Sequence, residues 1–193
     1  MNLIEERPVA AEALPIAALK EHLRLGTGFA DDGLQDRLVE RHLRAAIAAI
    51  EGRIGKALVA RSFRLVLNRW RDGGSQALPL APVSSVQALR VGSAEVAPVA
   101  WWLAEDMHRP RLVGRSGLPV IPEGKTAEIV FTAGFGSWDA VPADLAQAVM
   151  LLAAEYYEVR HEAGLRVSAL PMQVAALVER WRAVRLLGGA VCG

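Results

Sequence analysis

The sequence predicts an α+β chain in which about four helices form a core and an antiparallel β region is inserted between them. Three observations carry that prediction. Apolar residues recur at spacings of three and four towards both ends of the chain, over residues 1–57 and 141–193. Over residues 58–140 the pattern changes to short alternating stretches punctuated by proline and glycine. The 193 residues are 52% hydrophobic and 22% charged, the composition of a chain that packs a core. The three segments are read as N-terminal helices (1–57), an inserted β region (58–140) and C-terminal helices that complete the core (141–193).

The first helix is expected from Pro15 to about Leu25. Proline suits a first helical turn, where its missing N–H costs nothing, and Ile16, Leu19 and Leu23 share one face. A longer helix is expected to start near Asp31 or Asp32, either of which can cap it. Its seam is Val39, Leu43, Ala46, Ile50 and Ile54, with Gly55 as the stop. In the middle, Phe63, Leu65 and Leu67 alternate with Arg64, Val66 and Asn68 as in a half-buried strand. Asp72–Ser75 reads as a turn. Val86–Val91, Val99–Leu103 and Ala127–Thr132 are further strands, kept short by prolines at 79, 82, 98, 110, 119 and 122. A third helix is expected from Pro142 to about Glu162, with Asp144 where the helix dipole favours a negative charge. Its seam is Leu145, Val149, Leu152, Tyr156 and Val159. A last helix, from Pro171 to Gly188-Gly189, carries Val174, Leu177, Trp181 and Val184. With a short connection, these two helices should pack antiparallel.

Charge and composition remove several function classes. The 22 basic and 21 acidic side chains leave a net charge of +1, against a polybasic coat for nucleic acid. The longest apolar run, Ala148–Ala154, is far below the roughly 18 residues of a spanning helix. Acids at Glu5, Glu6 and Glu12 do not suit a signal peptide, so a soluble cytoplasmic product is expected. Cys192 is the one cysteine and can make no internal disulfide.

No catalytic constellation stands out. Gly26-Thr27-Gly28 and Gly52–Lys56 lack phosphate-loop spacing and a preceding strand, and read as helix-ending turns. Glu158 and His161 form one Glu-x-x-His pair, where a di-iron bundle needs two such pairs and two further glutamates. His42 lies on an apolar helix flank and reads as a packed or interface histidine. We expect no enzyme, no cofactor and no metal. The tryptophans are more informative. Trp101 and Trp102 are adjacent, so on a strand one enters the core and the other faces solvent or a partner. Trp181 lies among Arg180, Arg182 and Arg185. It serves either the helix seam or an interface, where tryptophan and arginine are enriched.

The order of these segments resembles the head–tail connector, or adaptor, family of long-tailed phages, including the gene transfer agents of bacteria. The matching stretches are 14–25, 31–58, 61–70, 78–91 and, most recognisably, 130–162. In the last, a strand runs into Thr132-Ala133-Gly134-Phe135-Gly136. Then come Val141-Pro142-Ala143-Asp144-Leu145 and a helix ending in Tyr157-Glu158-Val159-Arg160. The resemblance implies a structural role for Thr132, Ala133, Gly134, Phe135, Gly136, Pro142, Leu145, Tyr157 and Arg160. It also implies a ring of about twelve subunits beneath the portal protein, with a stopper or other tail-side protein on its far face. Double-stranded DNA would pass through the lumen without sequence-specific contacts. The C-terminal helix would dock on the portal through Trp181, Arg182, Arg185, Leu186 and Leu187. The expected location is the head–tail junction of a virion or gene transfer agent particle, after assembly from the host cytoplasm. Two other readings are a small, non-enzymatic DNA-associated protein of a prophage-like cluster, using arginine on phosphate, and an enzyme built around Glu158 and His161.

Overall fold

The computed structural model describes residues 1–24, 34–159 and 170–182. Twelve elements follow in chain order. Strand β1 (Asn2–Glu5) precedes helices α1 (Ile16–His22) and α2 (Leu34–Ile54). Strands β2 (Arg61–Leu67), β3 (Ser75–Ala77), β4 (Val83–Val91), β5 (Ala94–Glu95), β6 (Trp101–Ala104), β7 (Arg111–Gly114) and β8 (Ala127–Ala133) come next. Helices α3 (Ala143–Glu158) and α4 (Met172–Val178) complete the fold. Every named strand pair is antiparallel. One sheet has the order β1-β2-β8-β4-β5 and the other β3-β7-β6.

Two apolar cores result. In the helical core the expected seams close on one another. Val39, Leu43, Ala46, Ile50 and Ile54 of α2 meet Leu145, Val149 and Leu152 of α3, with Leu19 of α1 and Val174 of α4. In the second core Phe63 and Leu65 of β2, Ile129 and Phe131 of β8, Leu89 of β4 and Leu112 of β7 pack together. The rings of Phe63 and Phe131 stack with centroids 5.9 Å apart, because Phe63 and Phe131 are cross-strand partners.

The joint between the cores is polar and tightly satisfied. Arg61 Nη1 and Nη2 donate to Glu51 Oε1 (3.0 Å) and Oε2 (2.8 Å), a two-pronged pair with both side chains 12% exposed. Arg61 Nε donates to Glu5 Oε1 at 2.7 Å, and Nη1 also to the Val59 carbonyl at 3.1 Å. Glu51 Oε1 further accepts the Leu58 N–H at 2.7 Å. One guanidinium therefore ties the end of α2, its link to β2, and β1. Burial would lower its pKa, but Glu51 and Glu5 outweigh that and hold the charge in place. Across the joint, Phe135 N donates to Leu58 O, Ala60 N to Gly136 O, and Gly134 N to Pro82 O.

The expected helical reading of residues 1–57 fails at its start, where β1 pairs with β2 from Asn2↔Val66 to Glu5↔Phe63. Four residues are too few to show a period of two, and this strand is recruited by the edge of β2 and by the ion pairs of Glu5 and Glu6 with Arg61 and Arg64. Strands β3, β5 and β7 are also additions to the expected set, and are two to four residues long. Strand β4 begins three residues before the expected start because two register shifts against β8 scramble its alternation. Val99 and Ala100 belong to a 3-10 turn, Pro98–Ala100, that precedes β6. Helix α3 ends at Glu158, short of Glu162. Helix α4 does not run to Gly188: it tightens to a 3-10 turn at Glu179–Trp181, and Arg182 is extended at φ −69°, ψ 135°. The expected caps Asp31 and Asp32, and the turn Gly26-Thr27-Gly28, lie outside the described residues.

Two substitutions test the joint. Glu51→Ala strands a largely buried guanidinium and should cost about 3 kcal/mol in a urea melt. Gly134 has φ +130°, and a Cβ there would sit 2.5 Å from the Ala60 backbone. Gly134→Ala should therefore cost about 3 kcal/mol or more. A melt within 1 kcal/mol of wild type for both would show that the cores do not depend on this contact.

Candidate functional site

The motif 132–136 and the start of α3 meet the last described turn of the chain, and this meeting point is the candidate site. Strand β8 ends at Ala133, which is fully buried. Thr132 lies on the outer face, its Oγ1 accepting from Gln87 Nε2 at 2.7 Å. Gly134 and Gly136, both at positive φ, carry the chain through the joint and present Phe135 to the helical side. Pro142 then occupies the N-cap of α3, and Leu145 is fully buried in the helical core.

Asp144 gathers the C-terminal turn onto this loop. Its Oδ2 accepts from Trp181 Nε1 and from Arg180 Nε, each at 2.7 Å, and its Oδ1 accepts from Leu145 N at 3.0 Å. Phe135 meets the Trp181 ring edge-on at 5.6 Å, and the Arg180 guanidinium lies over that ring at 5.0 Å. The indole bond is made where a further helical turn would otherwise begin, and the chain leaves extended at Arg182. Partial burial works to raise the Asp144 pKa. The bonds from Arg180, Trp181 and Leu145 outweigh it and hold the carboxyl below its usual range.

The expected docking residues separate accordingly. Trp181 is half-buried against its own chain. Arg182 pairs with Glu179 (Nη1 to Oε1, 2.8 Å), and both are well exposed. Arg185, Leu186 and Leu187 lie outside the described residues, as do Arg160, His161 and Cys192. Tyr157 is half-buried and meets His42 edge-on at 5.9 Å, so this histidine is packed between helices. Trp101 enters the second core and Trp102 is 45% exposed, the division expected of neighbours on a strand. Lys56, just past the helix-ending Gly55, is buried and donates through Nζ to the Met107 carbonyl. Burial lowers its pKa, with Asp106 opposing. Glu158 is exposed on α3. Among the described residues no group of three His, Cys, Asp or Glu could hold a metal ion, and no helix is long and apolar enough to cross a membrane. Asp144 was expected only as a favourable charge at a helix start. Its bond to a residue 37 positions later has no signal in local spacing.

The Asp144 contacts carry a pH signature. A carboxyl depressed in the folded state stabilises above its unfolded pKa of about 3.9, and that stabilisation is lost as pH falls through the lower folded value. Asp144→Asn should therefore flatten the acid limb of a stability–pH profile. Asp144→Ala should cost about 2 kcal/mol at neutral pH, discounted for the exposure of Arg180. An acid limb identical to wild type in Asp144→Asn would remove the charge from this role.

No protein-family model and no curated protein matches the sequence. Solved structures do. A chain in the neck of an empty gene transfer agent particle, computed with sixfold symmetry, is 54% identical. The match covers 98% of this chain and 99% of that one, with a TM-score of 0.87. A chain in the virion of a native gene transfer agent particle is 55% identical over the same shares, with a TM-score of 0.84. One in the neck of a native particle, computed with twelvefold symmetry, is 50% identical over the same shares, with a TM-score of 0.83. Identity at this level over nearly the whole of both chains, on an α+β fold with four helices and antiparallel sheets, settles the relationship. The chain belongs to the head–tail connector family, in the branch that builds the neck of gene transfer agent particles, and is a structural head–tail adaptor at the junction of capsid and tail.

Proposed function

We propose that this adaptor works as a ring of about twelve copies beneath the portal protein, non-enzymatic, with a tail-side connector on its opposite face and double-stranded DNA passing through its lumen. The observation that carries the reading is the 54% identity to a neck chain over 98% of this one. The twelvefold symmetry of a related neck supports the copy number. A net charge of +1 suits a conduit, because a strongly basic lumen would hold phosphates instead of letting them slide. The outward residues Ala45 and Ala48 of α2 give the helical side a small-residue surface for a neighbour to approach. The DNA-associated alternative is not favoured by the relatives, which are parts of a particle.

Docking on the portal falls to the C-terminal segment. Asp144 and Phe135 hold Trp181, the backbone turns extended at Arg182, and the chain beyond carries Arg185, Leu186 and Leu187. In this reading Trp181 anchors the segment on its own chain while the later residues meet the portal.

The test is mass by light scattering, with the purified chain alone and then with the portal of the same gene cluster. A stable high-mass complex with the portal is expected. Arg185→Glu should weaken it about 30-fold, the loss of one good interface anchor. Trp181→Ala with Arg185→Glu should abolish head–tail joining in particles. A chain that ignores its portal at every salt concentration would overturn the reading. Normal joining by the double variant would overturn the docking assignment alone.

A further inference from the structure

The two sheets end in four outer edges, and two of them are guarded within the chain. Strand β5 pairs only with Arg90 and Val91 of β4, and the rest of that edge is broken by two register shifts against β8. Strand β3 is covered by its own Gln76, which is 3% exposed. The Gln76 Nε2 donates to the Ala77 carbonyl at 2.8 Å, and Oε1 accepts the Arg71 N–H at 3.1 Å. The edges of β1 and β6 are different. Each is four residues long, and no further strand pairs with either outer edge among the described residues.

Neither edge carries the usual protection. Natural edge strands are guarded by lysine, proline, bulges or inward charges, because their free N–H and C=O groups template pairing with another chain. Strand β6, Trp-Trp-Leu-Ala, has none of these. Strand β1 has one charge, Glu5, already engaged by Arg61. Exposed apolar side chains gather at the same places. Met1 (81%) and Leu3 (36%) flank or belong to β1, and Val99 (76%), Trp102 (45%) and Met107 (47%) flank or belong to β6. Of the large exposed hydrophobics among the described residues, just Val120 and Met172 lie elsewhere. Grouped apolar exposure of this kind marks surface that is covered in an assembly.

Symmetry decides which edge meets which. Pairing β6 with β6, or β1 with β1, is isologous and stops at a dimer. Pairing β6 of one copy with β1 of the next uses two different surfaces, leaves one of each open at every step, and closes when the ring is complete. We propose that strand addition between β6 of one copy and β1 of its neighbour is a subunit contact of the ring, with Trp102 and Leu3 at its apolar centre. The inference rests on the ring proposed above, and the partner it names is a second copy of this chain.

The experiment assembles the full chain on its portal and reads ring mass and cross-links. Trp102→Lys places a guard on an exposed position, so the monomer should keep its circular dichroism while ring yield falls at least about tenfold. Val120→Lys, also exposed but on neither edge, should leave the yield unchanged. In a Cys192→Ser background, Leu3→Cys with Trp102→Cys should give a ladder of disulfide-linked oligomers under oxidation, since cross-strand Cβ atoms lie about 5 Å apart. If the wild-type chain forms rings and Trp102→Lys forms them at full yield, or the cysteine pair gives no ladder, the pairing is overturned and the ring stands. A wild-type chain that forms no ring on its portal overturns the adaptor reading and this inference with it.

Discussion

The guanidinium of Arg61 is the constraint on which the two cores depend. Each core is closed by its own apolar seams, yet neither seam crosses from α2 to β2. The crossing is made by polar groups in partly buried ground, where an unmatched charge would be costly. Arg61 meets that condition by spending its donors on Glu51, Glu5 and the Val59 carbonyl. Lysine could not replace it, because a point charge cannot take a carboxylate in two prongs while reaching a second one. The same pair recruits β1, since Glu5 has a partner only where Arg61 already stands. A surface strand of four residues would otherwise have little to hold it.

Around that pair, the loop 132–136 acts as a crossing point. Gly134 is pressed against the Ala60 backbone, where any side chain would collide. Phe135 bonds through its N–H to Leu58 and through its ring to Trp181. The Gly136 carbonyl accepts from Ala60. Its two glycines serve backbone packing on one side, and its aromatic forms a platform on the other. The loop thereby couples the β region to the place where the C-terminal turn is fixed.

What was legible in the sequence follows from the length over which physics repeats. The expected seams of α2 and α3 run for four turns or more: Val39, Leu43, Ala46, Ile50 and Ile54 are buried, as are Leu145, Val149 and Leu152, while Tyr156 is half-buried and Val159 lies past the end of α3. Phe63, Leu65 and Leu67 alternate over a full strand and fill the second core. Strands β1, β3, β5 and β7 are too short to establish a period, and each is held by pairing with a neighbouring strand. Helix α4 was overextended for a related reason. Val174 and Trp181 fit a helical seam, but the indole bond to Asp144 ends the helix before another turn forms. The resemblance of residues 130–162 to connector proteins points to the region of the candidate site. It could not give the Trp181 partner of Asp144, which is set by tertiary packing.

Such an adaptor is defined by surfaces more than by a cleft, and this changes which residues carry information. In an enzyme, function is read from perturbed groups gathered in a pocket. Three of the perturbed groups here, Arg61, Lys56 and Asp144, face partners in their own chain and hold its parts in register. The informative residues are those left incomplete. Among the described residues, the outer edges of β1 and β6 pair with no further strand and lie beside exposed apolar side chains, at a cost to solubility that a solitary monomer has no reason to bear. Rigid internal joints and open outer edges belong together. A ring closes only if every copy presents its two contact surfaces at the same angle, and the joint at Arg61, which fixes β1 to the helical core, sets that angle for one of them.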